Sequence, residues 1–171
     1  SGVYSKRVSE DIFADGLLII DYPNRTISFS RMRSLSPTQA HVLTYERAFR
    51  VPVSIGGLET EGNLDTGANV AFVLPRSLYD RVATGRLEQA GRGRLANGTI
   101  ETRHSIVPGP FRISGASLSD VEVRVSDRFP ELLVGAHALR RFVLMIDKGS
   151  KSVAVCEGHP SAPHGAADRA P

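Results

Sequence analysis

The chain consists of short apolar runs that are separated at close intervals by glycine and proline. Its 171 residues include 16 Gly and 10 Pro, spread along the whole sequence. Short apolar runs that are bounded by turn-forming residues are typical of β-strands, since helices need longer uninterrupted stretches. The pattern therefore predicts an all-β protein, and a chain of this length is expected to form one full domain.

Turn residues between alternating runs indicate three hairpins. Residues 16–30 hold GLLIID and TISFS on either side of Tyr-Pro-Asn-Arg, and residues 142–155 form a similar pair of runs. Asn97-Gly98 is followed by alternating residues, which is a strong signal for a hairpin turn. Two short helices are also predicted, one over 76–84, where apolar residues recur at helical spacing, and one within 131–142.

Charge and composition argue against several classes of function. The net charge is only +3 and the arginines are scattered, which argues against a nucleic-acid partner. A single cysteine, Cys156, excludes an internal disulfide, and with few, scattered histidines we expect no metal and no cofactor. No stretch has the apolar length of a membrane span.

The start of the chain bears on its location in the cell. Ser1-Gly2 resembles a remnant of cloning, so the natural N-terminus, with any targeting segment, is expected to lie upstream. Usage rich in Ala, Arg and Gly is compatible with a periplasmic or membrane-associated bacterial protein.

Two stretches of the chain resemble each other at an offset of 126 residues. Ile20–Phe29 (IDYPNRTISF) and Ile146–Val155 (IDKGSKSVAV) share Ile-Asp, a turn, a basic residue, a hydroxyl residue and an alternating strand. The likeness extends backwards, from VSEDIFADGLLIID to VGAHALRRFVLMID. If the repeat is real, residues 1–30 close an earlier lobe of the same kind. If it is not, they are a hairpin added to a single lobe.

The stretch GNLDTGANVAFVLP, residues 62–75, places an Asp-Thr-Gly triplet between apolar runs. An isolated triplet of this kind is most simply a turn, and turns are normally exposed. Here Leu64 and Phe72 are among the apolar residues that flank it, so we expect Asp65 in a largely buried loop. Because a buried carboxylate is costly unless it is hydrogen-bonded or shares a proton, this placement indicates a chemical role.

Two further segments accompany the triplet, namely the hairpin around Asn97-Gly98 and the stretch PELLVGAHAL that begins at Pro130. With strand, D-T-G-A, strand, hairpin, apolar-apolar-Gly, short helix and closing strands in this order, the chain resembles the retropepsin-like aspartic proteases of retroviruses and bacteria. The resemblance covers about residues 46–156, and its specific part is D-T-G-A combined with PELLVG.

The resemblance implies a closed β-barrel-like lobe with a flap hairpin and one short C-terminal helix. Residues 1–30 would precede this lobe as a β-hairpin, 31–45 would be a linker, and 157–171, rich in Pro, Gly and Ala, would be a disordered tail.

By this resemblance, Asp65 is the catalytic residue of an aspartic endopeptidase. Thr66 would hydrogen-bond to the backbone of the opposing lobe, and Gly67, which lacks a Cβ, would let its amide approach the carboxylate. Residues expected to bind substrate lie after the triplet, in the flap hairpin and in the PELLVG segment: Ala68, Ala96, Asn97, Gly98, Glu131 and Leu133.

The chain departs from the retroviral pattern at a pair of charged positions. An Asp shortly after the triplet often pairs there with an Arg after the apolar-apolar-Gly, and the matching residues here are Asn69 and Ala136. Both charges are absent together, so other contacts must hold the lobe at this point. His137 follows and is expected to be a hydrogen-bonded structural residue. The flap also has only one central glycine, Gly98.

The chemistry of this family needs two carboxylates, whereas the chain has a single Asp-Thr-Gly. The second aspartate would come from Asp65 of a second copy in a homodimer, which we favour because the catalytic half is complete, or from a lobe that precedes this one. A non-catalytic binding or regulatory module of the same fold is the alternative from another class. The expected partner is a peptide or protein substrate.

Overall fold

The computed structural model describes residues 15–45, 49–83, 85–95 and 98–158, and for residues 89–102 only the backbone is described. Strands dominate these ranges, as the sequence predicts, and the fold class is confirmed as all-β. The alternation in Arg50–Ile55 shows why: Val51, Val53 and Ile55 are buried and the residues between them face outward.

The strands are short, and most are joined by tight turns. They are β1 (Leu17–Asp21), β2 (Thr26–Ser30), β3 (Val42–Thr44), β4 (Arg50–Ile55), β5 (Leu58–Asp65), β6 (Phe72–Pro75), β7 (Glu88–Leu95), β8 (Gly98–Val107), β9 (Phe111–Ile113), β10 (Ala116–Leu118), β11 (Val121–Ser126), β12 (Leu132–Gly135), β13 (Phe142–Asp147) and β14 (Ser152–Glu157). The helices within the described ranges are α1 (Arg76–Val82) and α2 (Ala136–Leu139). No helix in the described part of the chain is long and apolar enough to cross a membrane.

The larger sheet has the strand order β10-β9-β4-β5-β12-β6-β11-β8-β7 and curls into a half-barrel. The apolar faces of its strands enclose the core, in which Phe72 and Phe111 pack with ring centroids 4.5 Å apart. At its centre β12 runs parallel to β5 and antiparallel to β6. This arrangement brings the loop after β5 next to the first residues of α2.

The smaller sheet has the order β2-β1-β13-β14-β3. Its first two strands are the predicted N-terminal hairpin, whose turn spans residues 22–25, and β13 and β14 are the predicted closing hairpin. Apolar residues of β13 and β14 on one face join the core of the half-barrel. The N-terminal hairpin is therefore part of the same sheet as the closing hairpin.

Residues 31–45, predicted to be a linker, contain one strand of the smaller sheet. Within them β3 pairs with β14, and Leu35 is buried beside Leu17 and Ala154. The few apolar residues of this segment suffice to pack it onto the sheet, although the segment as a whole is polar. The tail from residue 159 onward lies outside the described residues.

Candidate active site

Asp65 is the last residue of β5, at the centre of the half-barrel. The parallel register places it opposite Gly135, the last residue of β12. Side chains alternate along β5, so that Leu64 enters the core while Asn63 and Asp65 share the other face. The strand thus presents the carboxylate where two strands end side by side.

The side chain of Asp65 is exposed in the chain, contrary to the expectation that it lies in a buried loop. The flanking residues Leu64 and Phe72 are indeed buried. The alternation of the strand explains the difference, because a residue next to a buried one points away from the core. Apolar neighbours in the sequence therefore did not imply burial of the residue between them.

The turn after β5 wraps its backbone around the carboxylate. The amide of Gly67 donates to Oδ1 of Asp65 at 2.9 Å, and the amide of Ala68 donates to the carbonyl oxygen of Asp65 at 3.1 Å. A Cβ on Gly67 would lie 3.3 Å from that Oδ1, which is tight but not blocked. The amide approaches the carboxylate as expected, although in this chain the absence of a Cβ is only a mild requirement.

Backbone hydrogen bonds from the end of β12 and the start of α2 hold this loop in place. Three successive amides, those of residues 135–137, point into the loop and donate to its carbonyl oxygens. The bonds join Gly135 to Ala71 at 2.8 Å, Ala136 to Ala68 at 2.9 Å and His137 to Val70 at 3.0 Å. Backbone donors at a helix start are otherwise without a partner, so the arrangement satisfies both segments at once.

Gly135 is the residue that permits this close approach. A Cβ at this position would lie 2.3 Å from the carbonyl oxygen of Val70 and 2.8 Å from that of Ala68. Both are backbone atoms that cannot move without breaking the bonds to α2. Steric crowding therefore requires glycine at position 135, at the end of β12, more strictly than at position 67 within the Asp-Thr-Gly triplet.

A side-chain hydrogen bond reinforces the same junction. His137 Nε2 lies 2.6 Å from Oδ1 of Asn69, and since the amide oxygen can only accept, the imidazole donates. Asn69 and Ala136 stand at the two positions where the retroviral pattern has a charged pair. The hydrogen-bond partner of Asn69 is His137, the residue after Ala136. The sequence indicated a structural histidine but not which residue it would contact.

The residues expected to bind substrate differ in their position relative to Asp65 and in their burial. Leu133 pairs with Asn63 of β5 and with Val73 of β6, on the face opposite to the core residues of β12, and its side chain is buried. Ala68 is half-buried in the loop. Of the three residues predicted to form the tip of a flap, Gly98 begins β8, while Ala96 and Asn97 lie outside the described residues.

Glu131 lines a cavity of about 470 Å³, which residues 60–63 of β5 also line. It forms an ion pair with Arg50, and both side chains are partly exposed, so the pair contributes little to stability. The cavity reaches Asn63, two residues before the aspartate, and Asp65 does not line it. The other residues of the cavity wall are Thr60, Glu61, Gly62, Pro75, Ser77, Leu78, Arg81, Pro130 and Leu132.

Thr66 is exposed, and its hydroxyl has no hydrogen-bond partner in the described part of the chain. A hydroxyl presented in this way beside a carboxylate is free to bond outside the lobe. Among the described residues, no three His, Cys, Asp or Glu side chains lie close enough to hold a metal ion. What the arrangement offers chemically is one oriented carboxylate on a rigid loop.

Comparisons with known proteins give two similar solved structures and one family. The chain is similar to the EIAV protease in complex with the inhibitor HBY-793, with 26% identity, a TM-score of 0.48, and coverage of 57% of this chain and 92% of that one. It is also similar to a retropepsin-like aspartic protease from Rickettsia conorii, with 16% identity, a TM-score of 0.49, and coverage of 61% and 96%. No curated protein matches it significantly.

The family model described as aspartyl protease matches residues 51–138, just over half of the chain and including the whole loop around Asp65. The chain therefore belongs to the aspartyl protease family.

Proposed function

We propose that the chain carries half of the active site of an aspartic endopeptidase, with Asp65 as one of two aspartates that activate a water between them. The observation that carries the proposal is the position of Asp65 within the family match. Its carboxylate is exposed at the end of β5, accepts a hydrogen bond from the amide of Gly67, and stands on a loop fixed by the backbone of α2.

One carboxylate alone cannot complete this reaction. Hydrolysis of a peptide bond requires a base that takes the proton of the attacking water and an acid that polarises the scissile carbonyl group. Two carboxylates about one water apart supply both roles because they share a single proton. The exposure of Asp65 and Thr66 in the isolated chain fits a site that a second lobe covers.

Two sources of the second aspartate agree with the sequence. In a homodimer, Asp65 of a second copy would face the first across a two-fold axis. In a two-lobed protein, this chain would be the C-terminal lobe and the other aspartate would precede it. In either assembly the Thr66 hydroxyl would reach the backbone of the opposing lobe.

Substrate would lie between the lobes, beneath the β7–β8 hairpin acting as a flap. Ala68 and Leu133 would form the floor beside Asp65. Glu131 and its ion-pair partner Arg50 would border the outer part of the cleft. The tip of the flap would be formed by Ala96, Asn97 and Gly98.

The test is cleavage of an unstructured peptide by the protein in its natural, full-length form. Asp65→Asn should lower the rate by roughly 10²–10⁴-fold or more, because the shared proton and the base are lost together. The matched control is Asp120→Asn, which makes the same chemical change at an exposed position remote in sequence from the triplet. Asp120 has a φ of 52°, which asparagine tolerates well.

Both variants should keep the melting temperature of the wild type, so that a loss of rate reflects chemistry. A transition-state mimic with a statine-type hydroxyl should inhibit the wild type. Cleavage that is unchanged in Asp65→Asn would exclude the assignment. A folded wild type that binds peptides without cleaving them would instead indicate the non-catalytic module.

A further inference from the structure

The two hairpins of the smaller sheet are related by the offset of 126 residues seen in the sequence. The offset superposes β1 on β13 and β2 on β14, so that each strand of one hairpin corresponds to a strand of the other. Ile20-Asp21 then corresponds to Ile146-Asp147. The turns of the two hairpins can be compared by their hydrogen bonds and backbone conformation, which are local features.

In the first hairpin the turn is closed by three features. The amide of Arg25 donates to the carbonyl oxygen of Tyr22 at 3.2 Å. The amide of Asn24 donates to Oδ1 of Asp21 at 3.0 Å. Arg25 itself has a left-handed backbone, with φ at 54°.

The second hairpin repeats all three features at the corresponding residues. The amide of Lys151 donates to the carbonyl oxygen of Lys148 at 3.3 Å, and the amide of Ser150 donates to Oδ1 of Asp147 at 3.2 Å. Lys151 has a φ of 49°. Non-glycine residues with positive φ are uncommon, so a basic residue in this conformation at both sites strengthens the case for a true repeat.

The pairing of the hairpins defines a local two-fold axis. β1 and β13 are antiparallel, and Ile19 pairs with Met145. These two residues also correspond to each other in the repeat, since Met145 follows Ile19 by 126 positions. A rotation by 180° about an axis through this pair, normal to the sheet, therefore exchanges the two hairpins. A two-fold axis of this kind places equivalent faces of both hairpins on the same side of the sheet.

The surroundings of the two hairpins are not equivalent. Val153 of β14 is fully buried in the core of the half-barrel, whereas its counterpart Ile27 of β2 is 71% exposed. β14 has β3 along its outer edge, and within the described ranges β2 has no strand beyond it. Ile27 pairs with Ile20, which pairs with Leu144 of the core, so Ile27 lies on the face that packs against the half-barrel.

We infer that β1–β2 is the closing hairpin of a second lobe of the same fold, encoded upstream in the same polypeptide. This lobe packs its core against Ile27 as the half-barrel packs against Val153, and it lays a strand along β2 as β3 lies along β14. Its Asp-Thr-Gly-type triplet supplies the partner of Asp65, a point that rests on the proposed function. An exposed strand edge with an apolar side chain is otherwise a risk for aggregation.

A second copy of this chain does not fit the same axis. Its own β13–β14 hairpin would have to lie where β1–β2 of the first copy already pairs with β13. The N-terminal hairpin thus occupies the place of the partner's closing hairpin. The preceding lobe, rather than a second copy of this chain, is thus the source of the second aspartate.

The coding sequence upstream of residue 1 should contain a second triplet in an apolar frame, roughly 126 residues before Asp65, as the repeat requires. Residues 1–171 by themselves should be a monomer of 18.5 kDa in light scattering and should not cleave peptide. The polypeptide that includes the upstream lobe should cleave peptide as a monomer.

Ile27→Asp tests the docking surface itself. In the polypeptide with both lobes the variant should lower the melting temperature by several degrees, since the charge would be buried between β2 and the upstream lobe. In residues 1–171 alone it should change nothing, because Ile27 is exposed there. Ile106→Asp is the matched control, at an exposed isoleucine of the half-barrel, and should leave both forms unchanged.

The outcomes separate this inference from the proposed function. A dimer of residues 1–171 whose cleavage is lost in Asp65→Asn would overturn the inference and uphold the function. A two-lobed monomer that is destabilised by Ile27→Asp but cleaves no peptide would uphold the inference and overturn the function. An upstream sequence without a triplet, or Ile27→Asp without effect on the longer form, would overturn the inference.

Discussion

The imidazole of His137 donates to the side-chain oxygen of Asn69 across 2.6 Å and thereby links the first turn of α2 to the loop that carries Asp65. In the retroviral pattern an ion pair is expected at this junction, with its cationic partner one position earlier. In this chain the hydrogen bond between His137 and Asn69 lies at that junction instead. The loop is thus anchored by one side-chain contact in addition to three backbone bonds, one from Gly135 at the end of β12 and two from α2.

Asn69→Ala and His137→Ala should each lower the free energy of unfolding by about 1 kcal/mol, the usual net worth of such a hydrogen bond. Because the two side chains act on each other, the double variant should lose less than the sum of the single variants. Urea unfolding of all four proteins gives this coupling energy. Strictly additive losses would show that the contact contributes nothing.

Gly135→Ala should destabilise the protein by roughly 1–3 kcal/mol, the range seen when a side chain is forced into occupied space. The added Cβ would lie 2.3 Å from the carbonyl oxygen of Val70 and would push the loop away from α2. Gly149→Ala is the control, since its Cβ would meet only a side-chain oxygen of Asp147 at 3.4 Å. Thermal unfolding compares the two, and equal melting temperatures would contradict the steric argument.

Asp147 should contribute to stability in a pH-dependent way. Burial raises the pKa of this carboxyl group, but amide hydrogen bonds from Leu35, at 2.9 Å, and Ser150, at 3.2 Å, lower it more, so its pKa lies below the ordinary value. A depressed pKa stabilises the folded state above the unfolded-state pKa of about 3.9. That stability is lost as the pH falls through the folded-state value.

Asp147→Asn should therefore cost about 1–3 kcal/mol at neutral pH, because one of the two amides then faces a donor. The difference from the wild type should begin to shrink below about pH 4, where the carboxyl group of the unfolded chain takes up its proton, and should vanish once the pH has fallen through the lower pKa of the folded state. Denaturant unfolding at several pH values measures it, with Asp120→Asn as the exposed control. A difference that stays constant down to about pH 2 would refute the assignment.

Peptide cleavage by the assembled protein should decline as the pH rises. Two adjacent carboxylates work as a pair only while they share one proton, and the pair loses it when both ionise. The rate should be highest between acidic and near-neutral pH. A rate of cleavage that kept rising through about pH 9 would contradict a shared-proton mechanism.

Much of the local structure could be predicted from the sequence because it depends on near neighbours. Turn residues between short apolar runs indicated the hairpins at both ends of the described chain, and the helical spacing over 76–84 indicated α1. The family of the chain followed from the order of Asp65-Thr66-Gly67-Ala68 and the PELLVG segment. These signals are short-range, so a single sequence carries them in full.

The exposure of Asp65, the contact between Asn69 and His137 and the packing of residues 31–45 needed the folded chain. Each depends on which strands lie side by side, and residues far apart in sequence decide this. The repeat at 126 residues is a further case. The sequence by itself determined that the two hairpins are alike, whereas only the pairing of Ile19 with Met145 decided that they face each other across a two-fold axis, because register is a property of two strands brought together by the whole fold.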